Sequence, residues 1–365
     1  MKQKVNKKQL FLELLKKVNE FTPENRTLNF MEVCGTHTMT IGKSALRQLL
    51  PESINLISGP GCPVCVTHDE EIENYLELAL QGEVIIATFG DLLRVPGMDG
   101  SLADARAKGA DVRVVYSTLD ALKLAKKNRS KEVVFLGVGF ETTAPTVAMS
   151  ILHARQEGIE NFSVYSMHKL IPPALGALVT DKEVKIDGFI LPGHVSTIIG
   201  VEPYRFLAGD YQKAGVITGF EPEDILQALL MLLKQIRENQ FSVEVQYTRG
   251  VSLEGNKIAQ KLLKEVFEPE DSLWRGLGLI PASGLKIREE FDRYDARKKF
   301  NLGKPRVTKP GEANKNCACG AILKGIKTPP QCALFNRVCT PLNPVGPCMV
   351  SSEGACAAYY RYAEA

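Results

Sequence analysis

Aromatic and imidazole side chains are sparse in this sequence, with one tryptophan, Trp274, and five histidines among 365 residues. Long apolar runs are missing too. The longest, Ala228 to Leu233, is far short of the roughly 18 residues of a membrane-spanning helix and falls in an amphipathic pattern. A net charge of +3, with no basic block interleaved with aromatics, excludes a nucleic-acid footprint. Nothing resembles a secretory signal, so the expected compartment is the reducing cytoplasm, where cysteines serve as ligands or redox groups rather than as a disulfide framework. The start does place Leu10, Phe11, Leu14, Leu15 and Val18 on one helical face with lysines opposite. Glu13 interrupts the basic run, which favours a docked surface helix over a transit peptide.

Cysteine is abundant by contrast. Six of the nine fall between Cys317 and Cys356, as Cys317-x-Cys319 followed by Cys332, Cys339, Cys348 and Cys356, among Gly, Pro and small polar residues. Such a density of thiols suggests a bound inorganic centre. Structural zinc favours paired knuckles with two to four residues between ligands, whereas a [4Fe-4S] cluster takes four thiolates from more varied spacings. No C-x-x-C occurs in this stretch, so the six thiols read as four cluster ligands and a spare pair. Two disulfides with stray thiols, or an irregular zinc site, are the plainer alternatives.

From Leu28 onward, short β-branched or apolar runs alternate with longer helical patterns, the signature of an α/β fold with largely parallel sheets. Strands are expected near 28–33, 54–58, 83–89, 111–116, 132–138, 161–167, 185–191, 214–218 and 241–248. Helices are expected near 37–50, 68–80, 101–108, 119–128, 145–157, 172–179, 222–239 and 253–267. The polar run Lys126–Lys131 and the recurrence of Gly-Phe-Glu at 139–141 and 219–221 suggest two Rossmann-like lobes. The expected division is 1–130 with the N-terminal helix, 131–270, and 271–365 as linker and cysteine-rich lobe. Ile287 to Lys299 reads as a solvated charged helix, and Lys304 to Gly311 as a linker.

Ligands of open parallel sheets gather at the carboxyl ends of the strands, and the unusual residues fall there. Cys34-Gly35-Thr36-His37 stands where a strand stops and a helix begins, a position whose macrodipole favours a thiolate. Gly59-Pro60-Gly61-Cys62-Pro63-Val64-Cys65 puts a C-x-x-C at a similar junction, the arrangement of a thiol redox pair, with half a zinc site as the plainer reading. The plainer reading of His68 is a helix cap, and of Asp91 an N-cap. Gly137-Val138-Gly139-Phe140-Glu141-Thr142-Thr143 half resembles a nucleotide loop but lacks the third glycine and any Walker lysine. His168 and His194 end two further strands on the same expected rim.

These motifs, with Pro192-Gly193-His194-Val195-Ser196 and the cysteine-rich lobe, closely resemble the HypD family of [NiFe]-hydrogenase maturation proteins over about residues 30 to 360. The resemblance implies a redox-active assembly scaffold rather than a conventional turnover enzyme. On it the Fe(CN)2CO unit would be built in complex with a HypC-like small chaperone, with cyanide delivered through HypE and HypF. Cys34 would supply one soft thiolate to the iron and the small partner's N-terminal cysteine another. Thr36, His37 and His194 would orient cyanide nitrogens, Glu141 belongs to the same set of site motifs, and Cys62 with Cys65 would form a dithiol/disulfide couple. The C-terminal lobe in turn resembles ferredoxin:thioredoxin reductase. That likeness implies Cys317, Cys332, Cys339 and Cys356 as the cluster ligands and leaves Cys319 and Cys348 as the redox pair. The competing expectations are a free-standing cluster-dependent thiol–disulfide oxidoreductase and a zinc-bearing docking protein.

Overall fold

A computed structural model describes residues 6–303 and 316–362; the expected linker Lys304 to Gly311 lies outside the described residues. Nine parallel strands form two sheets: β1 (Leu28–Glu32), β2 (Ile54–Ser58), β3 (Val84–Thr88), β4 (Asp111–Val114), β5 (Glu132–Gly137), β6 (Phe162–Ser166), β7 (Gly188–Pro192), β8 (Ala214–Thr218) and β9 (Val243–Val245). All nine coincide with the expected strands, and the fold is the anticipated α/β arrangement. β3, β6, β7 and β8 are buried along their whole length. Strands covered on both faces by helices read as unbroken apolar runs, which is why they were visible in the sequence.

The first sheet has the order β2-β1-β7-β8-β9 and the second β4-β3-β5-β6. The two sheets therefore do not divide the chain at residue 130. β1 pairs with β2 on one side and takes β7 on the other, Phe30 opposite Gly188, so the first lobe needs strands from both early and late sequence. The polar run Lys126–Lys131 is the turn from the Thr118–Lys127 helix into β5, within one sheet rather than between lobes. The two Gly-Phe-Glu sequences do occupy corresponding places, at the carboxyl ends of β5 and β8.

Helix positions follow their capping chemistry. Ala45, in the left-handed region at φ 52°, splits the expected 37–50 helix into Gly35–Lys43 and Leu46–Leu49. Gly255 at φ 68° and the Asn256 cap, whose side chain accepts from Ala259 N, delay the 253–267 helix to Lys257–Val266. The N-terminal helix Lys7–Phe21 docks Leu14 and Val18 against the Pro222–Glu238 helix in one hydrophobic cluster, as a surface helix.

Beyond β9 the structure departs from expectation. Phe267–Trp274 and Gly278–Ile287 form an antiparallel pair, β10 and β11. The charged stretch after it is a short 3-10 turn, Glu289–Tyr294, and a single helical turn, Ala296–Lys299, with Phe291 and Tyr294 buried. The hairpin is pinned by Leu170 N donating to Ser283 O and by Trp274, whose indole N–H donates to Ser283 Oγ at 2.8 Å and whose ring stacks on Phe140. A single hydrophobic cluster joins both sheets to the C-terminal lobe, from Val33 and Leu191 through Val134 and Leu136 to Met349. Among the described residues no helix is long and apolar enough to cross a membrane.

Candidate functional site

Where β1 ends, Cys34 is the N-cap of the Gly35–Lys43 helix. Its position is set by a glycine at close quarters. Gly61 O accepts from Gly35 N at 3.0 Å, and a Cβ on Gly61 would stand 2.2 Å from Cys34 N. Beneath it lies the buried Glu32, whose carboxylate accepts from Cys34 N at 3.2 Å and from Thr38 Oγ1 at 2.5 Å; burial pushes its pKa up to about 7.

Cys34, Gly61, Pro63, Gly139, Thr142, Thr143, His194 and Glu353 line one cavity of about 290 Å³ where the carboxyl ends of the two sheets face each other. The helix terminus was expected to make Cys34 a thiolate. The structure reverses that: burial, then the Glu353 carboxylate, push the thiol up to about 12. The Thr36 and His37 backbone groups oppose the shift without overcoming it. One helix terminus is weaker than the loss of hydration at a nearly closed site.

The strand-end histidines separate by environment. His194 is exposed at the cavity mouth, stacked on Phe220 at 3.8 Å. His37 is fully buried and does not line the cavity. Its Nε2 donates to Gly219 O at 2.8 Å and Thr218 O at 3.2 Å, tying the helix to the end of β8. Carbonyls only accept, so the proton sits on Nε2 and Nδ1 is left without a partner; burial lowers the pKa to about 4. His168 does not share the rim either, since its ring is packed inward on Phe267 and burial lowers its pKa to about 3. His68 caps the Asp69–Ala79 helix, as its position suggested.

Thr36 reaches the site indirectly, its hydroxyl donating to Glu353 Oε1 at 3.3 Å. Glu141 lies below the cavity lining. One carboxylate oxygen accepts from Ile171 N at 3.0 Å, the other has no partner, and burial raises its pKa to about 7. Glu353 was not singled out from the sequence. Glu353 is the only acid between Asn316 and Tyr362, and that isolation was the available signal. Asp91 is not a cap; its Oδ2 accepts from Ser351 Oγ, Ser352 N and Ser352 Oγ at 3.2–3.3 Å, clasping the C-terminal lobe to the end of β3.

Cys62 and Cys65, on the Pro63–Val66 turn, are joined as a disulfide with a Cα–Cα separation of 5.2 Å. The Pro347–Val350 helix packs on that turn and carries Cys348, whose Sγ lies 2.9 Å from that of Cys319. Arg275 braces the junction from β10–β11: its backbone N–H donates to Val66 O, its Nε to Thr67 O, and its guanidinium pairs with Asp69.

All six C-terminal cysteines line a second cavity with Ile322, Leu334, Phe335 and Met349. Cys339 Sγ accepts from Val345 N at 3.3 Å, and a Cβ on Gly346 would lie 3.1 Å from Cys317 Sγ. Among the described residues no three His, Cys, Asp or Glu side chains close on a single metal position. Thiols around an apolar cavity, with a backbone N–H directed at one sulfur and a glycine making room at another, fit a polynuclear cluster better than one zinc ion.

The model of the family described as "HypD: Hydrogenase formation hypA family" matches residues 9–363. The chain is 46% identical to hydrogenase maturation factor HypD2 of Bradyrhizobium diazoefficiens, covering 97% of this chain and 94% of that protein. It is 48% identical to hydrogenase maturation factor HypD of Cupriavidus necator, over 92% and 89% of the two chains. With the hydrogenase expression/formation protein HupD of Azotobacter chroococcum the identity is 50%, over 92% and 90%.

Proposed function

The chain belongs to the HypD family of hydrogenase formation proteins, and from that premise we propose that it matures a [NiFe]-hydrogenase as the scaffold on which the Fe(CN)2CO unit is assembled. The observation that carries this reading is a single cavity between two sheets that brings Cys34 together with His194, Thr142 and Glu353, backed by a lobe of six thiols.

Iron is the cargo here, and Cys34 its soft donor. Its thiol holds its proton strongly, so binding metal releases that proton, and the empty site stays protonated and unreactive at neutral pH. His194 offers ring nitrogens at the open mouth, where cyanide nitrogens could accept from it. His37 acts by fixing the Cys34 helix to β8, and Thr36 by orienting Glu353. A HypC-like partner would bring a second thiolate through the mouth, with HypE and HypF supplying cyanide.

Cys317, Cys332, Cys339 and Cys356 would hold a [4Fe-4S] cluster, which supplies single electrons when bound. Cys348, 2.9 Å from Cys319, lies on a helical turn packed against the turn that carries Cys62 and Cys65, which suits thiol–disulfide exchange toward the Cys34 cavity. That contact also favours a second reading, a free-standing thiol–disulfide oxidoreductase, in which Cys34 has no part. The setting in either case is the cytoplasm.

The test is anaerobic purification alone and with the small partner, with iron analysis and visible and infrared spectra on the same samples. About four irons per chain alone, and additional iron with cyanide and carbonyl bands in the complex, are expected. Cys34→Ala should keep the cluster absorption and lose the infrared bands. Bands that persist would remove Cys34 as an iron ligand, and turnover of a disulfide substrate by that variant would favour the oxidoreductase.

A further inference from the structure

Phe140, in the first Gly-Phe-Glu, lines the Cys34 cavity, whereas Phe220 of the second stands outside its wall. Phe220 follows the end of β8, beside the end of β7 from which His194 projects. His194 lies in the first turn of the Gly193–Ile199 helix and is exposed, and neither of its ring nitrogens is hydrogen-bonded among the described residues. An unbonded imidazole turns easily about its second side-chain torsion, whose wells are broad. What holds this ring is the face of Phe220, with centroids 3.8 Å apart and planes 22° from parallel.

Phe220 is itself held firmly. The His37 ring also stacks on it, at 5.1 Å and 27°, and Tyr247 meets its edge at 5.6 Å and 74°. Thr40 Oγ1 donates to Phe220 O at 2.9 Å, His37 Nε2 to Gly219 O at 2.8 Å, and Gly219 N to Gln246 Oε1 at 3.0 Å. Gly193 leaves room for the ring, since a Cβ there would stand 3.1 Å from Phe220 Cζ. The helix that begins at Cys34 therefore bears on Phe220 through His37 and Thr40, and Phe220 bears on His194.

We propose that Phe220 is a positioning residue of the cavity, fixing the plane in which the His194 imidazole presents its N–H to a cyanide nitrogen on the iron held by Cys34; the inference rests on the scaffold reading given above. A stacked aromatic pair favours its arrangement by about two- to tenfold over the alternatives. Without the Phe220 ring, His194 still carries a donor but seldom aims it. Because the same ring is tied to the Cys34 helix, donor and soft ligand keep one relative geometry.

The experiment uses the full chain as the parent, Phe220→Leu, His194→Ala and the double variant. Nuclear magnetic resonance of isotope-labelled histidine rings in the lone protein comes first. The facing phenyl should displace the His194 signal, and Phe220→Leu should return it to the position of an exposed histidine; a signal that does not move would overturn the proposal. Each chain is then co-expressed anaerobically with the small partner and the cyanide-delivering proteins, and iron content and infrared spectra are recorded on the complexes. His194→Ala should shift the cyanide bands, Phe220→Leu should broaden them and move them part of the way in the same direction, and the double variant should coincide with His194→Ala. A purely structural Phe220 would lower the melting temperature and leave the band positions alone. Unshifted bands in Phe220→Leu, or shifts that add in the double variant, would overturn the inference and leave the scaffold reading standing. A parent complex without cyanide bands would overturn the scaffold reading and this role with it.

Discussion

Lys169→Met tests whether a buried ion pair holds the β10–β11 hairpin to the Asp69–Ala79 helix. Lys169 Nζ lies 2.8 and 3.0 Å from the two Glu71 oxygens and 2.7 Å from Ser272 Oγ on β10, with both charged side chains 1% exposed. Removing the ammonium leaves the Glu71 carboxylate with only the His68 N–H at 2.9 Å and Arg297 at 3.9 Å. Breaking one partner of such a pair costs about 3–5 kcal/mol. With an unfolding entropy of about 2.1 cal/mol/K per residue, a chain of 365 residues loses about 1.3 °C of Tm per kcal/mol, so the expected fall is about 4–6 °C. Glu71→Leu combined with Lys169→Met removes both charges and should recover most of that loss, short of about 1 kcal/mol for the cap Glu71 makes with His68. The assay is differential scanning calorimetry of both variants and the parent protein. A fall below 1 °C for Lys169→Met, or a double variant less stable than the single, would refute the argument.

Two further outcomes are expected. Because Cys34 keeps its proton to about pH 12, its alkylation by iodoacetamide should still be rising tenfold per pH unit at pH 9.5, where an ordinary thiol near 8.5 has levelled off. A plateau below pH 9, followed by mass spectrometry of the Cys34 peptide, would contradict the assigned environment. Gly61→Ala forces a Cβ against the Cys34 backbone, which has no flexible end to yield, and should cost about 3 kcal/mol or more. Gly82→Ala, with nothing within 4 Å of the added Cβ, serves as the neutral control in the same thermal melts.

What could be read from the sequence followed what was local. The nine parallel strands were legible because each is a short apolar run between helical patterns, and the strand-end motifs because a parallel sheet gathers such ends on one side. β10 was not legible: Phe267–Trp274 carries Pro269, Glu268, Glu270 and Asp271, and its strand form depends on partners such as Ser283 and Lys169 contributed by other segments. The directions of His37 and His168 were likewise hidden, since a residue at a strand end can turn to the rim or to the core, and only packing decides. For Cys34 the helix position was correctly placed but its electrostatic consequence was not, because the burial that chiefly raises its pKa, and then the Glu353 carboxylate, come from tertiary packing, Glu353 from more than 300 residues away.

The order of strands also sets the order of manufacture. β1 lies between β2 and β7, and some 160 residues separate Leu28 from Gly188. At about 5–20 residues per second on a ribosome, β1 waits about 10–30 s for its second neighbour, while β3 to β6 emerge together and can pair at once. Cys34 gains the His37 anchor only when Gly219 has been made, and its Glu353 neighbour only after a further stretch of more than a hundred residues. The Cys34 cavity is thus completed only after both sheets have been made, and a chain cut short before Glu353 would expose Cys34 without the surroundings that keep it protonated.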